Sequence, residues 1–419
     1  MKKNLFIATA PNIQKDDILL IIKILFNPFI WKRDKDVVFF EKSFEDYMNL
    51  NNEGFKAVAF DSARSSFYAL LKAYNFKKGS EILMPSFTCV VIVNSVLFAG
   101  LKPVYVDIDK ETFNIDFEDL KKKVSSKTKA ILIQHTFGKY VDIKKVRKIV
   151  GKDTKIIEDT AHILGGKINE NGKERRIGTL ADASISTFGI EKMMTSCRGG
   201  MALVKDGEIY NKLKEMQKTA KNFSYKRIFL WLINPLIWYL ITPIYYVGIG
   251  KFTIGRVVTD IGHRIKIMGN MVEKCEYRGE FPSWIPANMP GALARLGIHQ
   301  LHKLDKLNKH RRSISKIYDK EFSKNYTKDK SYTPIRYSVL VKNPKQVHLD
   351  LKKEHIVIGN WYERFLFTDE KFLKYLNFDK EKVPNTVFVT KYIINLPTFI
   401  HIKPNDAKKI AKKVLGYIM

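Results

Sequence analysis

The sequence predicts an α/β protein with a mostly parallel sheet, and two observations carry that prediction. Short β-branched runs recur between residues 56 and 205, and segments with helical apolar spacing separate them. Strands and helices that alternate in this way form a parallel sheet covered on both faces. A chain of 419 residues with 45% hydrophobic content can bury a large core, so we expect one large domain and a smaller one.

Seven runs are predicted as the strands of this sheet. Each is a short apolar segment, and the stretches between them, such as 65–74 and 88–97, have the apolar spacing of helices. The predicted strands are 57–60, 81–84, 103–106, 130–133, 155–158, 185–188 and 201–204.

The chain divides into five expected parts. Residues 51–220 form the large domain, and 1–50 form an N-terminal arm. Residues 286–330 are a long connecting helix, because leucines recur on one face of a segment otherwise rich in Lys, His and Arg. Residues 331–419 form a small C-terminal α/β domain, with strand-like runs at 337–341 and 391–396 and a closing helix from Asn405. The remaining part, 221–285, breaks the alternating pattern.

This insertion contains residues 228–250, which carry no charge and include two prolines. About 20 apolar residues suffice to cross a bilayer, so membrane contact is one interpretation and a buried core helix is the other. The tryptophans and tyrosines of the run favour an interface. Both flanks belong to one fold, which excludes a single crossing. We therefore expect a hairpin or two short helices in one leaflet, with Lys226, Arg227, Lys251 and Arg256 at the headgroups.

A second apolar run, 18–31, lies between Lys15 and Lys32. It is a candidate interfacial helix of the N-terminal arm. A helix packed on a partner subunit explains the same pattern equally well.

The formal net charge of +30 permits an anionic partner but identifies none. The cations are scattered without a basic tail, so we expect no nucleic-acid partner. Three unpaired cysteines and nine histidines without ligand spacing indicate a reducing, cytoplasmic location and no metal site.

Three sites at the ends of predicted strands could carry chemistry. Asp159 follows one strand and could hold a protonated ring nitrogen, or merely cap a helix. Lys192 follows a later strand and could form a Schiff base with an aldehyde cofactor, although a solvated lysine is the commoner case. Residues 61–66 place Ser hydroxyls, Arg64 and free N–H groups where a phosphate could bind, or only a Ser N-cap.

The order of these motifs resembles the DegT/DnrJ family of pyridoxal-phosphate (PLP) sugar aminotransferases, which have the type I aminotransferase fold. The resemblance covers nearly all of residues 40–419 except the apolar insertion. The matching segments are "FDSARSSFYALL" (60–71), "EILMPSFTCVVIVNSVLFAGLKPVYVDID" (81–109), "TKAILIQHTFG" (128–138), "IIEDTAH" (156–162), "STFGIEKMMTSCRGG" (186–200) and "GALARLGIHQLHKLD" (291–305).

The resemblance implies a role for each matching residue. Lys192 would be the Schiff-base lysine that also moves the proton between substrate and cofactor. Asp159 would pair with the pyridinium nitrogen, and His162, where the family usually has glutamine, would lie near the ring hydroxyl. The phosphate would be bound by the segment that contains Ser62, Ala63 and Arg64, together with Thr187.

Three departures from the family pattern bear on the substrate. Cys89 stands where many members place an aromatic ring against PLP. Cys197-Arg198 replaces the first two residues of the family's "GEGG". The asparagine that reaches the neighbouring subunit's phosphate in a dimer aligns with Pro286, so Asn288 is its candidate substitute.

The resemblance thus implies a PLP-dependent aminotransferase, expected to be a homodimer on the inner face of the cell membrane. It would move an amino group from glutamate or glutamine to a keto-sugar on a nucleotide or lipid carrier, for surface polysaccharide synthesis. A PLP-dependent sugar dehydratase is one alternative, although related dehydratases carry histidine at the position of Lys192. The other is a non-catalytic membrane or nucleic-acid binding protein that retains the fold.

Overall fold

Residues 3–7, 11–250, 252–264 and 272–419 are described by a computed structural model. Lys251 and residues 265–271 of the predicted insertion therefore lie outside the described part, as do Met1, Lys2 and residues 8–10. The α-helices of the described residues are α1 (Lys15–Leu25), α2 (Asp34–Met48), α3 (Ala63–Ala73), α4 (Val90–Phe98), α5 (Phe117–Lys123), α6 (Ile143–Val150), α7 (Gly207–Thr219), α8 (Tyr225–Ile241), α9 (Ile254–Arg264), α10 (Gly291–Phe322), α11 (Pro344–Lys353), α12 (Pro384–Tyr392) and α13 (Pro404–Leu415).

The strands of the same residues are β1 (Leu5–Phe6), β2 (Lys56–Phe60), β3 (Glu81–Pro85), β4 (Lys102–Val106), β5 (Thr128–Gln134), β6 (Lys155–Asp159), β7 (Lys167–Glu170), β8 (Lys173–Arg176), β9 (Ala183–Thr187), β10 (Gly200–Val204), β11 (Gly248–Ile249), β12 (Phe252–Thr253), β13 (Arg336–Leu340), β14 (Ile356–Val357) and β15 (Ile393–Pro397).

The central sheet has seven strands in the order β2-β10-β9-β6-β5-β3-β4. Strand β10 runs antiparallel to both neighbours, and all other pairs along β9-β6-β5-β3-β4 are parallel. The seven predicted runs are these seven strands, which confirms the α/β fold with a mostly parallel sheet.

Both faces of the sheet are buried, because alternate side chains of each strand enter different cores. Along β2, Val58 and Phe60 pack with α3 and α4, whereas Ala57 and Ala59 face the core that contains α2 and α10. Covering both faces is what allows parallel strands to be apolar throughout. With both faces covered, the ends of the strands are the part of the sheet that remains open to a ligand.

Helix α10 runs from the part of the chain that carries the central sheet to residues 331–419, which are called the small domain below. Its 32 residues span about 48 Å at 1.5 Å per residue, and it packs against α2. A Cβ at position 297 would lie 2.8 Å from the Phe40 ring, so Gly297 is what lets the two helices approach this closely. In the small domain, β13 pairs with β15 in antiparallel register. The run predicted as a strand from residue 391 begins at Ile393, because α12 starts at Pro384 and continues through Tyr392.

The insertion is built from α8, the short β11–β12 pair and α9. Only four of the 17 residues in α8 are buried, namely Ile228, Leu232, Pro235 and Ile241, and the first three lie on one face of the helix. Among the described residues, no helix is both long and apolar enough to span a bilayer.

Candidate active site

Lys192 lies in the loop that joins β9 to β10. The backbone N–H of Phe188 donates to the carbonyl oxygen of Gly199 at 2.8 Å, and that of Ser196 donates to the carbonyl oxygen of Phe188 at 3.0 Å. These bonds close the loop at the carboxyl end of β9. Lys192 is therefore held at the edge where open α/β sheets bind ligands.

The Lys192 amine lies 4.2 Å from the centroid of the Trp361 ring, and the Arg336 guanidinium lies 3.6 Å from the same ring. Arg336 also pairs with Glu191 at 2.8 Å. Burial lowers the pKa of Lys192, and the charge of Arg336 lowers it further, whereas Cys89 and Asp159 act in the opposite direction. The environment thus favours the neutral amine that nucleophilic chemistry requires.

Asp159 is the last residue of β6, and β6 pairs directly with β9. Its side chain is buried and accepts the N–H of Ala161 at 2.9 Å. Burial raises the pKa of the Asp159 carboxyl, while the Ala161 N–H and the charge of Lys192 hold it down. The Asp159 carboxyl and the Lys192 amine therefore lie close enough for each to shift the pKa of the other.

His162 forms part of an aromatic wall beside these two groups. Its ring is stacked at 5.3 Å between centroids on Phe137 and, on another side, at 5.3 Å on Trp361. The N–H of Phe137 donates to His162 Nδ1 at 3.3 Å, and the Tyr362 hydroxyl lies 3.3 Å from Nε2. Burial and the charges of Lys192 and Arg336 lower the pKa of His162 well below its ordinary value, so the ring is neutral at pH 7.

The N-terminus of α3 lies beside the same loop. Ser62 caps the helix by accepting the N–H of Ser65, and Ala63 is the first helical residue. A Cβ at position 200 would lie 2.2 Å from the carbonyl carbon of Ser62, so only glycine allows β10 to start here. Thr187 is the direct pairing partner of Gly200. Three residues predicted to bind a phosphate, Ser62, Ala63 and Thr187, therefore all lie next to Gly200.

The side chain of Arg64 has a different environment from the predicted one. It forms a buried ion pair with Glu276 and lies 5.3 Å from the Trp284 ring. Any contribution of Arg64 to a phosphate site is thus more readily made by its backbone than by its guanidinium. Glu276 was not anticipated, because more than 200 residues separate the partners and no local pattern marks the pair.

Cys89 and Asn288 complete the predicted set. Cys89 precedes the first turn of α4, and burial raises the pKa of its thiol, which is electrostatically coupled to Lys192. The Asn288 amide donates to the carbonyl oxygen of Ala220 at 3.3 Å and to Asn222 Oδ1 at 3.2 Å. Among the described residues, its own Oδ1 is buried without a hydrogen-bond partner.

Arg198, the basic departure from the family motif, joins the loop to the insertion. Its Nε donates to Asp61 at 2.8 Å, and Asp61 also accepts the hydroxyl of Ser65 at 2.5 Å. Three rings surround the guanidinium at 4.7–5.9 Å, those of Trp284, Trp231 and Phe223. The start of α3 is therefore connected through one arginine to aromatic residues of the insertion.

Arg336, Trp361 and Tyr362 are site residues that the sequence did not reveal. All three come from the small domain, far along the chain from Lys192. The adjacent aromatic pair 361–362 is the only local signal that could have drawn attention to them.

The chain belongs to the DegT/DnrJ/EryC1/StrS aminotransferase family, whose model matches residues 11–229 and 265–415. An uncharacterized protein of Methanocaldococcus jannaschii is 26% identical over 409 residues, which is 97% of this chain and 86% of that protein. GDP-perosamine synthase of Caulobacter vibrioides is 27% identical over 49% of this chain, and the chain spans about half (54%) of that enzyme.

The fold is also that of a solved enzyme. Helicobacter pylori PseC, an aminotransferase involved in the biosynthesis of pseudoaminic acid, superimposes with a TM-score of 0.71 at 22% identity, covering 99% of both chains. As a member of the family, this protein is a PLP-dependent aminotransferase. Residues 230–264, most of the insertion, lie between the two parts that the family model matches.

The residues present fit PLP. They offer an amine with a lowered pKa, a carboxylate at the adjacent strand end, and the N-terminus of an 11-residue helix beside a serine and a threonine. An aldehyde, a pyridine nitrogen and a phosphate are the groups that these three features suit.

Proposed function

We propose that this enzyme transfers an amino group from glutamate or glutamine to a keto-sugar carried on a nucleotide or a membrane lipid, for surface polysaccharide synthesis. The observation that carries the proposal is the placement of two groups. Lys192, whose pKa is lowered, lies in the loop after β9, and Asp159 lies at the end of the neighbouring strand β6. The names of the relatives supply the sugar, since perosamine and pseudoaminic acid are amino sugars.

Each side chain then has a defined task. Bound PLP supplies an electron sink and stores the amino group between the two halves of the reaction. Lys192 binds the cofactor and moves the proton at the reacting substrate carbon. Asp159 holds the proton on the ring nitrogen, and Ser62, Ala63 and Thr187 bind the phosphate.

The aromatic wall has the task of excluding water. Phe137, Trp361 and Tyr362 pack around the neutral His162 ring. Excluding water would strengthen the interaction of Asp159 with a protonated ring nitrogen and keep solvent away from the reacting carbon. The net charge of +30 favours the approach of a substrate that carries a pyrophosphate.

Reaction with the amino donor tests the first half of this function. PLP-loaded protein should be yellow, and glutamate or glutamine should remove the visible absorbance and release the corresponding keto acid. Lys192→Ala should abolish both changes, whereas Lys205→Ala, at an exposed lysine, should leave them intact. A colourless wild type after incubation with PLP would support the non-catalytic alternative. Loss of a sugar hydroxyl without amination would support the dehydratase, which the lysine at position 192 disfavours.

We also propose that the enzyme works on the inner face of the cell membrane. Large apolar side chains of the insertion are exposed, including Leu240 at 68%, Ile249 at 87% and Phe252 at 82%. Helix α1 packs against α8 and is followed by Phe26 and Phe29, which are 86% and 93% exposed. Exposed apolar side chains on neighbouring elements support contact with a membrane or with another protein. Lys226, Arg227 and Arg256 flank those of the insertion in sequence and suit anionic headgroups.

Flotation with vesicles of anionic phospholipid tests the membrane contact. Replacing Leu240, Ile249 and Phe252 together by serine should move the protein from the lipid fraction to the soluble fraction. Wild-type protein that never floats would reject membrane contact.

The homodimer is a separate proposal, supported by the buried, unpaired Oδ1 of Asn288 and by the second interpretation of the N-terminal arm. Light scattering during size-exclusion chromatography should give twice the chain mass of 48.6 kDa. A mass of one chain in the PLP-loaded enzyme would reject it.

A further inference from the structure

A cavity of about 370 Å³ lies between the N-terminal segment, α8 and the small domain. Its walls include Phe6, Ile13, Trp238, Tyr239 and Phe399. The volume falls within the range of about 300–1,000 Å³ that small-molecule sites occupy. We name it the N-terminal cavity.

The polar groups around the cavity bond to one another. Lys3 pairs with Asp406 at 2.6 Å and donates to the carbonyl oxygen of His401 at 2.7 Å. The Asn4 amide donates to the carbonyl oxygen of Thr242 at 2.8 Å, and His401 Nε2 lies 2.8 Å from the carbonyl oxygen of Ile13. With these groups engaged, the walls offer aromatic and aliphatic carbon to a ligand. The fitting chemistry is therefore a hydrocarbon.

The cavity adjoins the exposed apolar residues of the insertion. Trp238, Tyr239 and Thr242 line it, and Leu240 between them is exposed on α8. A hydrocarbon chain that entered from a bilayer would thus start beside Leu240. The lining residues of α8 from Pro235 onward also lie in the stretch that the family model leaves unmatched.

A single residue, Asn12, connects the wall of the cavity to the loop that contains Lys192. Pro11 and Ile13 line the cavity, and Asn12 between them donates to the carbonyl oxygen of Lys192. Asn12 is fixed in turn by Arg311, which donates to its Oδ1 at 2.7 Å. A ligand in the cavity would thus lie beside the segment that contacts the main chain of Lys192.

We propose that the N-terminal cavity binds one hydrocarbon chain, either the acyl chain of a bilayer lipid or the polyprenyl chain of a lipid carrier. The proposal rests on the proposed membrane contact only for the route by which the chain enters. Binding itself needs neither a vesicle nor a turnover.

Tryptophan fluorescence tests the proposal on the full-length PLP-loaded enzyme. Bromine quenches an indole that it touches, and Trp238 is the tryptophan among the cavity's lining residues. Dibromostearic acid, kept below the concentration at which it forms micelles, should quench wild-type fluorescence to a plateau at one chain per protein chain. Trp238→Phe keeps an aromatic wall and should remove the saturable part. Quenching that never saturates, or that survives Trp238→Phe, would overturn the proposal.

A matched pair of bulky variants locates the site. Thr242→Phe fills the cavity and should weaken binding at least tenfold, whereas Leu240→Phe places the same ring two residues away on the exposed surface and should leave binding of the soluble probe unchanged. If Thr242→Phe does not fold, Pro243→Phe serves instead, since Pro243 lines the cavity and is exposed. Equal binding by the filled and surface variants would contradict the assignment.

Competition distinguishes the two sources of the chain. Displacement of the probe by a polyprenyl phosphate at lower concentration than by phosphatidylglycerol identifies the carrier lipid, and the reverse order identifies a bilayer lipid. Displacement by neither would overturn the proposal. Amination of a water-soluble keto-sugar and vesicle flotation are measured separately. Loss of either would contradict the proposed function or membrane contact, whereas only the quenching assay reports on binding in the cavity.

Discussion

The central sheet and the insertion use apolar residues in opposite ways. Every residue of β3 and of β10 is buried, because helices cover both faces of the sheet. Helix α8 is also predominantly apolar, yet only four of its 17 residues are buried. The apolar side chains of the sheet are therefore buried within the chain's own core. In the insertion, many apolar side chains remain exposed and can contact a lipid or a partner. The family model follows the same division, since it stops at residue 229 and resumes at 265.

The largest effect should come from the catalytic end of the sheet. Lys192→Ala removes the proposed proton-transfer group, and such a group alone is worth about 10²–10⁴-fold in rate. We expect amination to fall by at least this factor, with little change in the melting temperature. Steady-state rates and thermal melts check the two parts. A variant within tenfold of wild type would mean that another group carries the proton.

The next effect concerns Arg198, where the two regions meet. Its ion pair with Asp61 is almost entirely buried, and removing one partner of a buried pair costs about 3–5 kcal/mol. Arg198→Ala should lower the free energy of unfolding by this amount and speed the loss of PLP, because Asp61 also accepts the hydroxyl of Ser65 at the proposed phosphate site. Denaturant unfolding and the rate of cofactor release measure these effects. Arg198→Lys is the control, and it should recover part of the stability without restoring the planar contacts with the rings.

The inner side of α8 should behave like the sheet. Leu232 is fully buried in the main core, so Leu232→Ala should cost about 2–5 kcal/mol of unfolding free energy. This burial also means that deleting residues 228–250 would open the core, so substituting exposed side chains is the better test of membrane contact. A cost below 1 kcal/mol would show that α8 is not part of the core.

The pH dependence sharpens the role assigned to Lys192. Arg336 lowers the pKa of the Lys192 amine, so Arg336→Met should raise that pKa. Because the neutral amine is the reactive form, the acidic limb of the kcat/KM profile should move to higher pH. Arg336→Lys keeps the charge and should leave the limb close to its wild-type position. A limb that moves equally in both variants would point to loss of packing on Trp361 instead.

The smallest effect on stability is expected from the exposed residues of α8, such as Leu240. Leu240→Ser should change the unfolding free energy by less than about 0.5 kcal/mol, because the side chain is exposed. Its affinity for anionic vesicles should nevertheless fall, since burying a leucine in an apolar phase is worth about 1.5–3 kcal/mol. Flotation and chemical unfolding of the same preparation separate the two outcomes. Unchanged flotation would remove Leu240 from the membrane contact.

The same division explains what could be predicted from sequence. All seven sheet strands were predicted to within about two residues, because a strand buried on both faces must be a short apolar run. Asp159 and Lys192 were proposed as site residues because each follows such a run, and the structure places both at the same end of the adjacent strands β6 and β9.

Contacts between distant segments were not predictable. Arg336 and Trp361 reach Lys192 through the packing of the small domain, which no local pattern encodes. The pairing of Arg64 with Glu276 was missed for the same reason. The insertion was recognised by composition, but the alternation of buried and exposed sides on α8 appears only once the helix is placed on the core.

Amination of a nucleotide-linked keto-sugar tests the central claim most directly. The PLP-loaded enzyme is incubated with ¹⁵N-labelled glutamate or glutamine and a panel of keto-sugar nucleotides, and the products are analysed by mass spectrometry. We predict one labelled amino sugar with the wild type and none with Lys192→Ala. A panel that yields no labelled sugar, from protein that binds PLP and releases the keto acid, would contradict the assignment of a sugar substrate.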